Sequence, residues 1–287
     1  MPGRSLQSWG WALALPPVLF LLAFFVGPLL YLLYVSFHGS STSDLYSAEL
    51  TLANYAAIAS DPFYLRVLLR TLETAAAIMG LCLAVGYPVA MVVAKLPRHR
   101  REIASILLLL PLMVSNVVRA YGWVAILGRR GLVNIALGKV GLIDAPLALL
   151  YTPAAVVLGL ATILLPYMVI SIANTLASLD RRYEEAAQAL GAGPIRTFLH
   201  VTLPLSSPGV ASGLLLVFLL TLSAYVTVTL LGGPPSKLLV SLVYDNVVSF
   251  QWPRAAALAF VLLAVALIVS ALILAVLRPG RVRGRSR

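Results

Sequence analysis

Residues 181–210 read RRYEEAAQALGAGPIRTFLHVTLPLSSPGV, a polar segment that lies between two long apolar stretches. Asp180 stands directly before it as a candidate N-cap, and Glu184 and Glu185 fall in the first turns, where a helix dipole favours negative charge. Gly191 suits the residue just past a helix end, because a left-handed backbone is inexpensive only for glycine. The segment therefore predicts a short helix that ends at a glycine turn.

A second helix is expected after this turn. Pro194 can open it at the first helical position, and Pro204 and Pro208 should interrupt it before the next apolar stretch. The pattern thus predicts a helix–turn–helix segment over residues 180–206. On these residues alone, an ordinary polar loop with capping residues remains an equal alternative.

The composition around this segment is that of a membrane protein. The mean hydropathy is +0.97, and only 11% of the 287 residues are charged, against about 25% in soluble domains. The net charge of +11 does not point to nucleic acid, because the basic residues cluster beside apolar stretches. A single cysteine, Cys82, excludes a disulfide framework within the chain and a multi-cysteine zinc site.

Six apolar stretches predict an all-α polytopic membrane protein with six transmembrane helices, at 11–36, 70–95, 103–127, 150–178, 207–231 and 255–277. The first stretch is longer than the core of a secretory signal, and no small-residue cleavage site follows it, so we expect it to be retained. The expected organisation is a cytoplasmic N-terminus at 1–10, one six-helix domain at 11–278 and a basic cytoplasmic tail at 279–287.

The distribution of Lys and Arg predicts the sidedness. The side that holds both termini and residues 180–206 carries 13 basic residues against four acids, and the other side carries seven against five. The positive-inside rule places both termini and residues 180–206 in the cytoplasm. Arg129 and Arg130 lie on the other side, in the loop 128–149, which we expect to contain a short amphipathic helix.

The spacing within the polar segment resembles the EAA motif of ABC importer permeases. That motif reads Glu-Ala-Ala, three residues, Gly, nine residues, an aliphatic residue, any residue and Leu-Pro. The matching residues are Glu185, Ala186, Ala187, Gly191, Val201, Leu203 and Pro204, with Val in place of the commoner Ile. The resemblance implies that residues 180–206 are a coupling helix pair, between spans four and five, that docks into a groove on a separate ATPase subunit.

The same resemblance implies the partners. The stretch GLVNIALGKVG at 131–141 lacks the spacing of a Walker A loop, so ATP and Mg²⁺ should be bound by the partner and not by this chain. The expected assembly contains two cytoplasmic ATPase subunits, a second permease subunit that is a paralogue, and an extracytoplasmic solute-binding protein. It would lie in bacterial cytoplasmic membrane lipid, and we expect no cofactor, metal, nucleic acid or enzymatic activity of this chain's own.

Further motifs are similar to those of spermidine/putrescine permeases. They comprise Gly86, Tyr87, Pro88 and Ala90 in span two, Ser115, Arg119 and Tyr121 in span three, and Gly131 and Asn134 in the following loop. The resemblance implies a polyamine cargo. The alternatives are another small solute, such as an anion or an aminophosphonate, and a secondary transporter that works without an ATPase.

Ionisable residues in the spans are candidates for the translocation path. Arg119 either lines this path or pairs with Glu73, because a buried guanidinium is expensive in lipid; alternatively it extends to the outer interface beside Tyr121 and Trp123. Glu73 is the candidate contact for a polyamine, with a structural ion pair to Arg70 or Arg119 as the alternative.

Three more polar residues belong to the same candidate path. Asn116 and Tyr225 either line a cavity or form hydrogen bonds between helices. Asp245, in the last outer loop, either takes part in docking of a binding protein or closure of a gate, or belongs to a solvated loop. Tyr121 completes the set of path candidates.

Overall fold

A computed structural model describes residues 15–41, 45–180 and 182–277. The predictions for 1–10, for Arg181 and for the tail at 279–287 fall outside the described residues. The described part is helical apart from turns, loops and one isolated bridge between His38 and Leu50, which confirms the all-α prediction.

The bounds of the long helices follow the apolar stretches, except that the helix predicted at 70–95 begins at Pro62. In chain order they are α1 (Leu15–Ser36), α2 (Ala53–Ser60), α3 (Pro62–Lys95), α4 (Arg98–Leu109), α5 (Asn116–Leu127), α6 (Leu132–Lys139), α7 (Pro153–Ser178), α8 (Arg182–Ala189), α9 (Pro194–Leu205), α10 (Ser207–Leu222), α11 (Tyr225–Gly232), α12 (Leu239–Val248) and α13 (Trp252–Val276). Within the described residues, α1, α3, α7 and α13 are each long and apolar enough to cross a membrane, and two bent helix pairs raise the total to six if each pair is one span.

The predicted spans 103–127 and 207–231 differ from straight helices. The chain bends by 84° between Arg98–Met113 and Asn116–Lys139, where Pro111 lies in a 3₁₀ turn. Proline lacks the N–H that would continue the α-helical bonding, and its ring clashes with the preceding turn. Predicted span five is interrupted between α10 and α11. The residues at both breaks belong to stretches that are apolar on average, and the prediction was made from that average.

The described residues form two compact units. One contains the residues up to Leu65 together with Leu242–Val261, and the other contains Arg66–Ser241 together with the residues after Val261. In the first unit, the buried Asn54 side chain donates to the carbonyls of Ser36 (3.1 Å) and His38 (2.8 Å). These bonds tie α2 to the end of α1.

The core of the second unit is built around α7. Helix α10 lies directly on α7, because a Cβ at Gly213 would lie 2.7 Å from the Met168 sulfur and one at Gly209 would lie 2.7 Å from the Thr175 Cβ. Small residues at such a contact let two membrane helices approach to backbone distance. The two glycines therefore fix α7 and α10 as one closely packed pair.

The loop 128–149 is ordered by one buried side chain. The expected short helix is α6, and Asn134 on it is 5% exposed. The Asn134 amide donates to the carbonyls of Gly128 and Leu147, both at 3.0 Å, and its oxygen accepts from the Leu147 N–H at 2.8 Å. The asparagine thus closes the loop around α6.

Candidate functional site

We call residues 180–206, which are expected to couple to an ATPase, the coupling segment. Its first helix, α8, begins as its sequence predicts. The Asp180 carboxylate accepts a hydrogen bond from the Arg182 N–H at 3.0 Å, which is the N-cap interaction. Glu184 and Glu185 occupy the first turn. Negative charge there is stabilised by the positive end of the helix dipole.

The turn after α8 is a Schellman motif. Gly191 has φ +83°, its N–H donates to the Gln188 carbonyl at 2.9 Å, and the Ala192 N–H donates to the Ala187 carbonyl at 3.1 Å. These two bonds satisfy carbonyls that the helix end leaves open. The predicted glycine turn is confirmed, and it fixes the direction in which α9 leaves.

Helix α9 begins at Pro194, as predicted, but Pro204 does not interrupt it. A π-helical turn at Phe198–Thr202 precedes this proline, and the Leu203 N–H donates to the Phe198 carbonyl five residues earlier. The wider turn accommodates a proline ring that would clash in a regular α-helix. The interruption comes instead at Ser206, where the chain bends by 64° into α10.

The two helices of the coupling segment are held together by a side-chain bond that the sequence analysis missed. The Thr202 hydroxyl donates to Glu184 Oε1 at 2.7 Å, and Thr202 is 6% exposed. Glu185, the motif residue, is exposed. Adjacent residues on a helix point about 100° apart, so one of two neighbouring acids can face inward while the other faces out.

The outer surface of the helix pair carries an unusual amount of apolar area. Leu190 is 89% exposed and Ile195 is 74% exposed. Leu199 is also exposed, and we call Leu190, Ile195 and Leu199 the apolar stripe. Of the remaining motif residues, Ala186, Leu203 and Pro204 are exposed, whereas Ala187 and Val201 are half-buried. Several large apolar side chains left exposed on a polar segment favour a docking surface.

The coupling segment is joined to α3 at its far end. Ser206 is fully buried, and its hydroxyl lies 2.7 Å from the Tyr87 hydroxyl. The Tyr87 ring also meets the Phe198 ring edge-on, with 5.5 Å between the ring centres. Tyr87 therefore contacts both the π-helical turn and the bend that follows it.

A cavity of about 610 Å³ lies beneath the coupling segment. The ends of α3 and α7 line it together with α8 and α9, and its charged residues are Lys95, Arg101, Asp180 and Glu184. The cavity separates the coupling segment from the ends of two apolar helices. Since acids and bases are balanced on its wall, it shows no preference for a charged ligand.

A second cavity, of about 300 Å³, brings together three of the predicted path residues: Asn116, Arg119 and Tyr225. We call it the Arg119 cavity. Tyr167, Ser223 and Thr227 also line it with hydroxyl-bearing side chains, and the other side chains of its wall are apolar. The first turns of α5 and α11, which follow the two breaks in the apolar helices, meet at this cavity.

The Arg119 guanidinium is only partly satisfied. Its Nη2 donates to the Asn116 side-chain oxygen at 2.6 Å. Its Nε and Nη1 are buried and have no hydrogen-bond partner in the part of the chain that the structure describes. Glu73 is exposed on α3, and no ion pair joins it to Arg119 or Arg70 among the described residues. The Arg70 guanidinium donates instead to the Pro235 carbonyl.

Two other path candidates are not among the residues that line this cavity. Tyr121 is 58% exposed and is not part of the cavity wall. Asp245 lies on α12, so the expectation of a loop there is wrong. Apolar residues at helical spacing, including Leu239, Leu242 and Val243, favour this helix, and the turn-like residues on either side of it obscured that pattern.

Comparison with known proteins agrees with the architecture. The family profile described as "Binding-protein-dependent transport system inner membrane component" matches residues 86–283. The spermidine/putrescine transport system permease protein PotB of Escherichia coli (strain K12) is 35% identical over 231 residues, which cover 80% of this chain and 84% of PotB. The molybdenum transport system permease protein ModB of Mycobacterium bovis is 36% identical over 180 residues, covering 62% of this chain and 66% of ModB.

A solved structure shares the fold. It is a chain of a bacterial alginate ABC transporter in complex with an alginate pentasaccharide-bound periplasmic protein, and it matches with a TM-score of 0.72 at 19% identity over 95% of both chains. The profile match spans more than half of the chain, and the PotB match covers four fifths of it. The chain therefore belongs to the family of inner-membrane components of binding-protein-dependent transport systems, the permease subunits of ABC importers.

Proposed function

We propose that residues 180–206 dock into a separate cytoplasmic ATPase subunit and transmit its movement to the membrane helices. The observation that carries this proposal is the contrast within the segment. Its two helices are braced internally by the Schellman turn and the Glu184–Thr202 bond, yet they present the apolar stripe outward. A rigid segment with an apolar outer face is suited to transmit force through a docked partner.

The free energy gained by burying the exposed apolar side chains favours docking over permanent exposure to water. Burying a Leu or Ile side chain stabilises a complex by about 1.5–3 kcal/mol, and Leu190 and Ile195 are both largely exposed. Glu185 is exposed in the first turn of α8, and its carboxylate can pair with basic groups on the partner. The partner would also supply ATP and Mg²⁺, since this sequence has no Walker A loop.

The proposed assembly has two such ATPase subunits, this chain, a paralogous permease subunit and an extracytoplasmic binding protein. The positive-inside count supports a cytoplasmic position for residues 180–206 and for both termini. A related fold found in complex with a periplasmic protein supports the binding-protein partner. Closure of the ATPases would then move the coupling segment and open the permease pair to the opposite side.

The cargo proposed first is a polyamine of the spermidine/putrescine type. The support is the similarity to PotB together with Glu73, an exposed acid on the apolar helix α3 that a cationic solute can contact. A second candidate is a small solute with an anionic group. It is favoured by the Arg119 cavity, whose wall contains a guanidinium and no acidic side chain.

Charge reversal at the docking surface tests the coupling role. In the complete importer, Glu185→Lys should reduce recovery of the ATPase subunit with a tagged permease and abolish solute-stimulated ATP hydrolysis. Breaking a charge pair in a docked interface costs about 2–5 kcal/mol. The matched control is Glu102→Lys, which makes the same change at an exposed residue of α4 outside the coupling segment. Full ATPase recovery and stimulation with Glu185→Lys would exclude the proposed docking.

A further inference from the structure

We propose that the Arg119 cavity binds an oxyanion group, meaning a carboxylate, phosphate or phosphonate, during transport. The proposal rests on the proposed function, because it treats the cavity as part of the path through the permease. It goes further by naming the chemistry of the group that binds there. It also turns the choice between the two cargo classes into a measurable question.

The first argument is the state of the guanidinium. The Arg119 side chain carries a full positive charge, and it lies on the wall of the cavity. Asn116 takes one of its donors, while Nε and Nη1 are buried without an acceptor in the described part of the chain. Unpaired buried charge is strongly destabilising. The fork of guanidinium N–H groups matches the two oxygens of a carboxylate or phosphate.

The second argument is the convergence of two helix starts. Helix α5 begins at Asn116 and α11 begins at Tyr225, and both first turns line the cavity. Ser115 before α5 makes no side-chain capping bond, and Ala224 before α11 has no side chain that can accept one. Helix N-termini carry partial positive charge and favour anions. Arg119 lies near the N-terminus of α5, so its full positive charge is close to the positive end of the helix dipole, which disfavours it.

The third argument is the rest of the wall. Leu112, Leu160, Ile163, Leu164 and Leu220 provide an apolar surround, and Tyr167, Ser223, Tyr225 and Thr227 add hydroxyl groups. An apolar surround strengthens an ion pair relative to water. The volume of about 300 Å³ admits one small polar group. Discontinuous helices whose N-termini face an anionic group are a recurring design in transporters.

The oxyanion has two possible sources with the same chemistry. It is either a group on the cargo or an acidic side chain of the second permease subunit. A polyamine offers no acceptor to Arg119, so a polyamine cargo requires the second source. The two sources predict different occupancy of the cavity in the complete importer and in this chain alone.

The test uses inorganic phosphate and acetate as probes. Their binding is measured by calorimetry at constant ionic strength, with chloride as the reference anion, on the complete importer and on the full chain purified alone. Arg119→Gln should weaken binding about 10- to 100-fold, since hydrogen bonds to a charged group are lost. Arg119→Lys keeps the charge but loses the fork, and should weaken it less. Arg129→Gln, which removes an exposed arginine outside the cavity, should change nothing.

Saturable binding of either probe to the complete importer, dependent on Arg119, supports the proposal with the cargo as the source. Binding to the chain alone but not to the complete importer supports it with the second subunit as the source. Absence of Arg119-dependent binding in both preparations overturns it. Recovery of the ATPase subunit with each variant is measured in parallel, so failure of the coupling role is seen separately.

Discussion

Replacement of Gly191 by alanine tests whether the turn between α8 and α9 must keep its geometry. Gly191 has φ +83°, and a Cβ there would meet no atom within 4 Å, so the cost is conformational and not steric. Holding a non-glycine residue in the left-handed region costs about 1–2 kcal/mol. That energy shifts the balance between formed and opened turn about 5- to 30-fold.

Hydrogen exchange measures this shift directly, because the Ala192 N–H is bonded to the Ala187 carbonyl only while the turn is formed. In the complete importer, Gly191→Ala should lower the protection of the peptide that contains this amide by about 5- to 30-fold. The matched control is Gly193→Ala, because Gly193 has φ −67° and ψ 167°, a Cβ there meets nothing within 4 Å, and proline follows it. Equal protection in the two variants would refute the reasoning that the turn requires glycine.

Two further predictions concern packing. Ser206→Ala should destabilise the purified chain by about 1–3 kcal/mol, because it leaves the Tyr87 hydroxyl buried without its partner. In a double-mutant cycle measured by thermal unfolding, adding Tyr87→Phe should recover most of this loss. Additive losses would show that the two side chains do not interact. Gly209→Ala should lower the thermal midpoint through about 1–3 kcal/mol of overpacking against α7, whereas Gly138→Ala, where a Cβ meets nothing within 4 Å, should not. Equal midpoints would contradict the close approach of α10 to α7.

The coupling segment shows how much local sequence can predict. Asp180, Gly191 and Pro194 each perform the role that their chemistry favours, because caps and glycine turns depend on a few neighbouring residues. Which of Glu184 and Glu185 faces the second helix depends on the position of Thr202, which lies 18 residues after Glu184 in the sequence. Such a contact between helices leaves no periodic signal in the sequence.

The interruptions within the apolar stretches were not predicted. Hydropathy averages over a window, and the residues around Ser115 and Ser223 do not change the average enough to signal a break. At Pro204 the error was the opposite one: an interruption was predicted, but a π-helical turn lets the helix continue through this proline. Proline alone does not locate the breaks, because Pro88 and Pro166 lie inside continuous helices.

The Arg119 cavity was predicted in part. Polar residues within apolar stretches singled out Asn116, Arg119 and Tyr225 from the sequence, and the structure brings these three to one wall. Their proximity depends on the two helix breaks, which place the start of α5 beside the start of α11. The expected partner of Arg119, Glu73, was inferred from charge alone, and the two do not pair in the structure.

The close contact between α7 and α10 has a mechanical consequence. Contacts of Gly209 and Gly213 hold the first half of α10 against α7, and the chain bends at Ser206 before α10 and breaks at Ser223–Ala224 after it. Under the proposed coupling role, a displacement of α9 would pass along the chain to α10 first and then to α11. Leu220 of α10 and the first turn of α11 both line the Arg119 cavity, so the same proposal predicts that a movement of α10 would change the shape of the cavity.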